Sequence, residues 1–288
     1  MRLALALKAR GQEGIVINAD SAQVYADLAV LSARPTTKEM QGIEHRLFGT
    51  WDGADACSAA DWAAAAREVI AEVHARGAVP ILVGGTGLYL RTLLDGIAPV
   101  PPIAPDVRTQ VRALPTAEAY VALQNEDPDR AALLAPGDST RIARALEVVR
   151  STGKPLADWQ SELTDGIGNA VTLHPAVLLP ARAWIYARCD ARFGQMLDGG
   201  AVEEVQLLLD RGLDPEMPVM RAIGVAEIAA LLSGKLPRAE AEVRGAQATR
   251  NYAKRQFTWL RNQSPPEWPR MAAQSFDPEV LFVSLLRD

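Results

Sequence analysis

The 288-residue sequence has few of the residues on which disulfide-bonded, metal-binding and membrane-spanning proteins depend. Its two cysteines, Cys57 and Cys189, are too few for a disulfide framework, and we expect reduced thiols. Its three histidines, His45, His74 and His174, lack the spacing of metal ligands, and we expect structural roles for them. The sequence shows no apolar run long enough to cross a bilayer and no recognisable leader. We therefore expect a cytoplasmic protein with no membrane partner.

The composition is that of a globular protein with a large core. Apolar residues make up 49% of the chain and charged residues 23%. This length predicts one large domain, or one domain with an insertion. The formal net charge of -5 argues against wholesale coating of nucleic acid. A local basic face is still compatible with that sum, because the distribution of charge decides where a polyanion binds.

Two short apolar runs are each followed by a turn that carries candidate site residues. The run Ile15–Ile17 predicts a buried parallel strand, and Asp20 follows it directly. The run Val79–Val83 predicts a second strand, which leads into the glycine-rich segment Gly84–Gly87. Ligands of open α/β sheets bind at the carboxyl ends of strands. Two simpler interpretations stay open: Asp20 caps a turn, and the glycines form a tight strand-to-helix connection instead of an anion-binding loop.

Helical patterns occupy most of the remaining sequence. Ser58 and Asp61 have the spacing of a capping box before an alanine-rich helix over Trp62–Arg76. A proline-rich stretch at 99–105 predicts a boundary, and helical spacing resumes from there to about Gly153. Val280–Leu286 predicts a last segment that docks on the core.

The stretch Arg244–Gln263 has a strong local charge asymmetry. It carries five Lys and Arg residues and three aromatic residues but no acidic residue, in a chain that is acidic overall. Such a stretch suits phosphate groups with aromatic support. A helix with its aromatic side chains in the core and its cations in solvent fits the pattern equally well.

Taken together, these segments resemble the tRNA dimethylallyltransferase family, and the resemblance runs nearly from end to end. The segments that carry it are Asp20–Tyr25, His45–Leu47, Ser58–Asp61, Leu82–Tyr89, Arg141 with Arg144–Glu147, Ser151–Lys154, Arg221–Gly224 and Thr249–Arg261. Each segment is weak alone, but their order and spacing together are specific.

The resemblance implies an α/β fold with a P-loop NTPase-like parallel sheet flanked by helices. It places this core at 1–100 and 174–288 and a helical insertion that contacts tRNA at 101–173. The implied activity moves a dimethylallyl group from its diphosphate to N6 of the adenosine at position 37, next to the tRNA anticodon, with Mg²⁺ as cofactor and diphosphate as product. The implied partners are the tRNA anticodon stem-loop and dimethylallyl diphosphate, and we expect a monomer.

The family pattern also assigns roles to individual residues. Asp20 is the implied general base, and Arg221 is the implied catalytic contact to the diphosphate. No metal ligand is assigned with certainty. The residues implied to bind tRNA or substrate are Asp20, Ser21, Ala22, Gln23, Thr86, Arg108, Thr140, Arg141, Ile142, Ala143, Arg144, Arg250, Lys254 and Arg255.

One part of the family pattern is missing from the sequence. The resemblance implies a strand and a phosphate-binding loop of the G-P-T-x-x-G-K-[ST] kind directly before a helix at Met1–Arg10. We expect that Met1 is an internal or misassigned start and that the natural protein is longer. The alternative is a tRNA-binding remnant. In either case we expect little prenylation of tRNA by the 288-residue form, and exposed strand edges where the missing strand would pair.

Two other enzyme classes and one non-enzymatic class are alternatives to this interpretation. A nucleotide kinase with a related core would also place Asp and Arg around phosphates, but it would not need the helical insertion or the basic stretch Arg244–Gln263. A relative that prenylates free adenine nucleotides is a nearer alternative. A scaffolding protein would not explain why Asp20, Thr86 and Arg221 all fall at strand ends or in short connections.

Overall fold

The computed structural model describes residues 1–272 and 277–286, so the predicted core segment 174–288 includes short stretches that lie outside the described residues. The chain forms two compact units, one of Met1–Arg91 with Val171–Asp288 and one of Thr92–Ala170. The strands are β1 Gly14–Asn18, β2 His45–Arg46, β3 Val79–Val83, β4 Val177–Leu178 and β5 Arg270–Met271. The helices are α1 Arg2–Ala9, α2 Thr37–Met40, α3 Ala59–Ala75, α4 Gly87–Leu94, α5 Pro105–Ala113, α6 Thr116–Glu126, α7 Pro128–Ala132, α8 Ser139–Thr152, α9 Leu156–Gln160, α10 Arg182–Asp198, α11 Ala201–Asp210, α12 Val225–Leu232, α13 Arg238–Gln263, α14 Pro278–Leu281 and α15 Val283–Leu286, with a 3₁₀ helix at Pro218–Arg221.

The core of the first unit is a parallel sheet in the order β2-β1-β3. Every residue of β1 is buried, which explains why its sequence is a continuous apolar run. β3 lies at the edge, where Val83 is 47% exposed, and no strand of the described chain pairs with its other side. The predicted parallel strands are confirmed, and β3 presents an open apolar edge of the predicted kind.

Helix α3 is fixed to the sheet by its first turn. Its N-cap Ser58 forms the predicted capping box, in which Ser58 Oγ accepts the N–H of Asp61 and the Asp61 carboxylate accepts the N–H of Ser58. The fully buried Trp62 indole then donates to the carbonyl oxygen of Asn18 at 2.9 Å. α3 therefore holds the carboxyl end of β1, from which Asp20 emerges.

The two described ends of the chain pack together in the first unit. Leu3 and Leu7 of α1 are buried against Phe282 and Leu286, as predicted for the last segment of the sequence. The Arg10 guanidinium donates to the carbonyl oxygen of Leu286 at 3.1 Å. After the second unit the chain forms the short strand β4, Val177–Leu178, which pairs in parallel with β5.

The second unit is a helical bundle with its own core. Val111, Leu123, Ile142 and Leu146 are nearly inaccessible to solvent and come from α5, α6 and α8. The unit begins at Thr92, before the sequence-predicted 101, and ends at Ala170, shortly before the predicted 173.

Hydrogen bonds explain why this unit begins before residue 101. Ile97 and Thr164 exchange backbone hydrogen bonds at 2.9 and 3.0 Å, and the N–H of Gly168 donates to the carbonyl of Leu94. These bonds join the segments before and after the helices, and the composition of either segment alone does not reveal them. Across the described part of the chain, no helix combines the length and the apolar character needed to span a membrane.

Candidate active site

A cavity of about 470 Å³ lies in the first unit at the carboxyl end of β1. The turn after β1, helix α10, the 3₁₀ helix and helix α13 each contribute part of its wall. The charged residues that line it are Asp20, Arg192, Arg221 and Arg255. The structure thus brings together the predicted Asp20, Arg221 and Arg255, and it adds Arg192, which the sequence analysis did not identify.

Asp20 is held at the cavity by a buried amide. The Asn18 side chain is fully buried, and its Oδ1 accepts the Asp20 N–H at 2.9 Å while its Nδ2 donates to the carbonyl oxygens of Asp20 and Leu47 at 3.0 Å each. The Asp20 carboxylate accepts the N–H of Ala22 at 2.9 Å. Burial raises the pKa of Asp20, while the Ala22 N–H and the positive charge of Arg192 oppose that shift. A carboxylate with a raised pKa is a stronger base than an exposed one.

Hydroxyl groups connect the turn after β1 to the turn after β3 and to α13. The Ser21 N–H donates to Thr86 Oγ1 at 2.9 Å, and Thr86 Oγ1 lies 3.2 Å from Ser21 Oγ. Burial raises the pKa of Tyr252, and the neighbouring side chains of Thr86, Ser21 and Gln256 oppose that shift. The predicted site residues Ser21 and Thr86 are therefore in contact, and Tyr252 of the distant helix α13 lies beside them.

The glycine-rich turn after β3 is explained by close packing. A Cβ atom on Gly84 would lie 2.2 Å from the backbone carbonyl of Ala19. A Cβ on Gly85 would meet Gln256 at 2.5 Å, and one on Gly87 would meet the Trp259 ring at 2.3 Å. Each glycine thus allows a residue of α13, or the residue that follows β1, to pack against this turn. This packing favours the tight strand-to-helix connection over an anion-binding loop.

Replacing Gly84 with alanine is expected to lower the free energy of unfolding by roughly 1–3 kcal/mol or more, because a backbone atom cannot move aside as a side chain can. The midpoint of urea unfolding measures this change. Gly137→Ala is the matched control, because no atom lies within 4 Å of a Cβ at Gly137 and its φ is not positive. Equal midpoints for the two variants would contradict the packing described for Gly84.

The predicted site residue Gln23 is held by a loop that a carboxylate organises. Gln23 Nε2 donates to the carbonyl oxygens of Ser32 and Ala33 at 3.1 and 3.2 Å. The segment just before these two residues is fixed by Glu204 of α11, whose carboxylate oxygens accept the N–H groups of Ala29, Val30 and Leu31 at 2.5, 3.0 and 2.9 Å. Glu204 therefore sets the backbone position on which the Gln23 amide depends.

We expect Glu204→Ala to destabilise the fold by about 1–3 kcal/mol, because three backbone N–H groups lose their acceptor. Glu203→Ala is the control: Glu203 is an exposed neighbour in the same helical turn. Thermal unfolding compares the two variants, and hydrogen exchange at residues 29–31 localises the effect. Unchanged protection of those amides in Glu204→Ala would show that the carboxylate does not fix the loop.

Apolar and aromatic groups form the inner wall of the cavity. Tyr89 stacks on Trp62 with ring centroids 4.6 Å apart, and the Tyr89 hydroxyl donates to Cys57 Sγ at 3.6 Å. Burial raises the pKa of Cys57 to about 11, so this thiol stays protonated at neutral pH. Cys57 and Cys189 are both free thiols, and both are buried.

Arg221 reaches the cavity from the 3₁₀ helix. Its side chain is 60% exposed and forms an ion pair of 3.2 Å with the more exposed Glu216. An exposed ion pair of this kind contributes little to stability and leaves the guanidinium free to exchange partners. Arg221 is therefore positioned as a mobile cation at the cavity that holds Asp20.

The basic stretch on α13 divides into internally paired and free cations. Arg250 forms an ion pair with Asp190 of α10 and also donates to Gln247, and Arg244 pairs with Glu240. Lys254 is exposed, and Arg255 lies over the Tyr252 ring at 5.6 Å. The interpretation of α13 as a solvated helix packed on its neighbours therefore accounts for part of the stretch, and Lys254 and Arg255 are the predicted contacts that stay available to a ligand.

The predicted contacts in the second unit differ in accessibility. Thr140 and Arg144 of α8 and Arg108 of α5 are exposed, and no described ion pair involves either arginine. Arg141 is exposed but paired with Asp138 at 3.2 Å. The remaining predicted contacts, Ile142 and Ala143, are not open surface: Ile142 is fully buried in the core of this unit and Ala143 is partly buried against it.

The cavity offers few ligands for a metal. The described residues contain no group of three or more His, Cys, Asp or Glu side chains that could hold an ion. Asp20 is the one carboxylate among the residues lining the cavity. A Mg²⁺ ion held mainly by substrate phosphates would fit this donor set, whereas an all-protein site would not.

Comparison with known proteins gives consistent matches along the chain. A family model described as IPP transferase matches residues 23–263. The tRNA dimethylallyltransferase of Erythrobacter litoralis is 61% identical over 287 residues, which cover 100% of this chain and 90% of that protein. The tRNA dimethylallyltransferase of Novosphingobium aromaticivorans is 64% identical over 278 residues, which cover 96% of this chain and 99% of that protein.

Solved structures show the same relationship. The full-length tRNA isopentenylpyrophosphate transferase of Bacillus halodurans is 31% identical, with a TM-score of 0.66 over 98% of this chain and 90% of that chain. A eukaryotic dimethylallyltransferase acting on tRNA is 28% identical, with a TM-score of 0.73 over 90% of this chain and 65% of that chain. The fold predicted from the sequence is therefore confirmed.

Proposed function

Because the chain belongs to the IPP transferase family of tRNA dimethylallyltransferases, we propose that it prenylates tRNA. In this reaction a dimethylallyl group passes from dimethylallyl diphosphate to N6 of the adenosine at position 37, next to the anticodon, and diphosphate is released. One observation supports this function best: a partly buried carboxylate, Asp20, and the cation Arg221 line the same cavity.

Asp20 provides the base that the nucleophile needs. The exocyclic amine of adenine is a weak nucleophile, because its lone pair is delocalised into the ring. As the N6 lone pair forms a bond to C1 of the allyl group, a proton leaves N6 and passes to the Asp20 carboxylate. General-base assistance of this kind contributes about 10²–10⁴-fold to rate.

Arg221 stabilises the leaving group. The C1–O bond breaks as the new C–N bond forms, and the diphosphate departs with the bonding electrons. Negative charge therefore grows on the departing oxygen, and a guanidinium can bind two phosphate oxygens at once. A Mg²⁺ ion held by the substrate phosphates would neutralise part of the same charge, which leaves the Asp20 carboxylate to take up the proton.

The target adenosine has to leave its base stack to reach the cavity. Gln23 and the Ser21 hydroxyl offer polar contacts to a flipped base, and Ala22 lies beside them in the cavity wall. Thr86 supports Ser21 by accepting its N–H at 2.9 Å. Lys254 on α13 and Arg108 and Arg144 in the second unit are exposed cations suited to phosphates of the anticodon arm, where contacts add affinity but little sequence information. We further propose a monomer that works in the cytoplasm, where tRNA is found.

The test is transfer of the dimethylallyl group to an unmodified anticodon stem-loop, followed by mass spectrometry of the nucleosides. The 288-residue chain is assayed beside a version that carries a strand and phosphate-binding loop before Met1. A stem-loop with guanosine at position 37 is the control substrate, and AMP is the competing acceptor. We expect N6-dimethylallyladenosine in the adenosine stem-loop alone. Failure of both protein forms, or a preference for AMP, would contradict the proposal.

A further inference from the structure

Positive charge exceeds negative charge around the cavity. Its lining contains three arginines, Arg192, Arg221 and Arg255, and the single carboxylate of Asp20. Arginine keeps its charge at any physiological pH, so two positive charges remain when Asp20 is ionised. A concave surface with this excess attracts anions.

Arg192 differs from Arg221 because the protein gives it no partner. Among the described residues, no hydrogen bond or ion pair involves the Arg192 guanidinium, whereas Arg221 has Glu216. The described residues likewise show no hydrogen bond or ion pair of Arg255, whose guanidinium lies over the face of the Tyr252 ring. Arg192 lies on α10 and Arg255 on α13, two helices that pack along each other. Both arginines reach the cavity from the helical wall, whereas Arg221 reaches it from the 3₁₀ helix.

The two carboxylates whose charge acts on Arg192 accept hydrogen bonds from other groups. The Asp20 carboxylate accepts the Ala22 N–H, and the Glu39 carboxylate accepts the N–H and the hydroxyl of Thr36 in the capping box of α2. Both act on Arg192 at longer range through their charge, and the like charge of Arg188 acts in the opposite sense. The positive charge of Arg192 is thus incompletely balanced within the protein.

We propose that Arg192 forms a phosphate subsite separate from Arg221. The ligand is a phosphate group of one of the two substrates, and the inference rests on the proposed function for the identity of those substrates. Two sources share this chemistry: the diphosphate of the prenyl donor and a backbone phosphate beside the flipped adenosine. Arg192 and Arg221 then contact the bound anions from different walls of the cavity.

The experiment compares Arg192→Gln with Arg188→Gln. Arg188 lies one turn earlier on α10, carries the same charge and stacks over the Trp184 ring at 4.7 Å, and it does not line the cavity. Equilibrium binding is measured for two probes, inorganic diphosphate and an anticodon stem-loop, in the wild type and both variants. We expect Arg192→Gln to weaken one probe about 10- to 100-fold, the range for loss of a hydrogen bond to a charged group, and Arg188→Gln to change either probe by less than about threefold. Arg192→Lys keeps the charge and should recover part of the loss.

The two probes identify the phosphate. A loss confined to inorganic diphosphate assigns the subsite to the prenyl donor, and a loss confined to the stem-loop assigns it to RNA. Unchanged binding of both probes in Arg192→Gln, equal losses in the two variants, or a wild type that binds neither probe would overturn the subsite. Binding is measured without turnover, so a failure of the transfer reaction itself is recognised separately.

Discussion

In the version that carries a strand and phosphate-binding loop before Met1, Asp20→Asn is expected to lower the rate of dimethylallyl transfer by about 10²–10⁴-fold, because an amide cannot take up the N6 proton. The substitution is nearly isosteric, and the Asn oxygen can still accept the N–H of Ala22 that Asp20 now accepts at 2.9 Å. Affinity for the anticodon stem-loop should therefore change little. Single-turnover kinetics at saturating stem-loop separates the rate of the chemical step from binding. A variant that transfers at the wild-type rate would remove Asp20 from the mechanism.

The same substitution has consequences for the pH dependence. Burial raises the pKa of Asp20, and the wild-type rate should rise with pH through that raised pKa as the base loses its proton. The charged or titratable groups acting on Asp20 are Arg192 on α10, Tyr89 on α4 and Tyr252 on α13. In Asp20→Asn this limb of the pH–rate profile should disappear from the residual activity.

Asp20→Asn should lower the transfer rate without lowering the stability of the fold. A carboxyl whose pKa is higher in the folded than in the unfolded state stabilises the fold below its unfolded pKa, and that contribution is lost as pH rises through the folded pKa. At neutral pH the ionised Asp20 is thus unfavourable to the fold, and Asp20→Asn should unfold at an equal or higher urea concentration than the wild type. A clear loss of stability in the variant at neutral pH would mean that the ionised carboxylate is structurally required.

Arg221→Gln is expected to lower transfer by about 10²–10³-fold, the range for removal of one group that stabilises developing negative charge. The loss should appear in the rate constant for transfer more than in stem-loop affinity, because charge on the departing diphosphate grows only as the C1–O bond breaks. Arg221→Lys should recover little of the rate, since an ammonium group cannot form two parallel hydrogen bonds to phosphate.

Glu216→Gln is the matched control for Arg221. It removes the ion-pair partner of Arg221 at a residue whose side chain is 80% exposed. Exposed ion pairs contribute little to stability. The transfer rate and the equilibrium constant for unfolding should therefore both stay within about twofold of the wild type. If Arg221→Gln were no slower than Glu216→Gln, the leaving group would have to be stabilised by other groups of the cavity.

The parts of the fold that depend on local sequence could be predicted from it. The burial of β1 follows from its apolar run, and the start of α3 follows from Ser58 and Asp61 three residues apart. The position of Asp20 follows from the rule that parallel strands present their carboxyl ends to ligands. In each of these cases the physical cause lies within a few residues along the chain.

The parts that depend on distant contacts could not be predicted in this way. Arg192 lies in the middle of a helix with other arginines, and only the packing of α10 places it, and not Arg188, at the cavity. Arg250 looks like a free cation in the sequence, but Asp190 of another helix pairs with it. In the sequence, the glycines after β3 are compatible with an anion-binding loop. The structure shows instead that they make room for the backbone of Ala19 and the ring of Trp259.

The packing of α13 on the turn after β3 has a consequence for the order of folding. One side of the cavity comes from the early residues after β1, and Tyr252 and Gln256 of α13, which line the other side, emerge from the ribosome only after the entire second unit. The helical bundle in between buries its core through neighbouring helices, and such low-contact-order structures form quickly. The second unit can therefore fold before α13 has been synthesised. The binding cavity, which needs α13 for part of its wall, is among the last features to form.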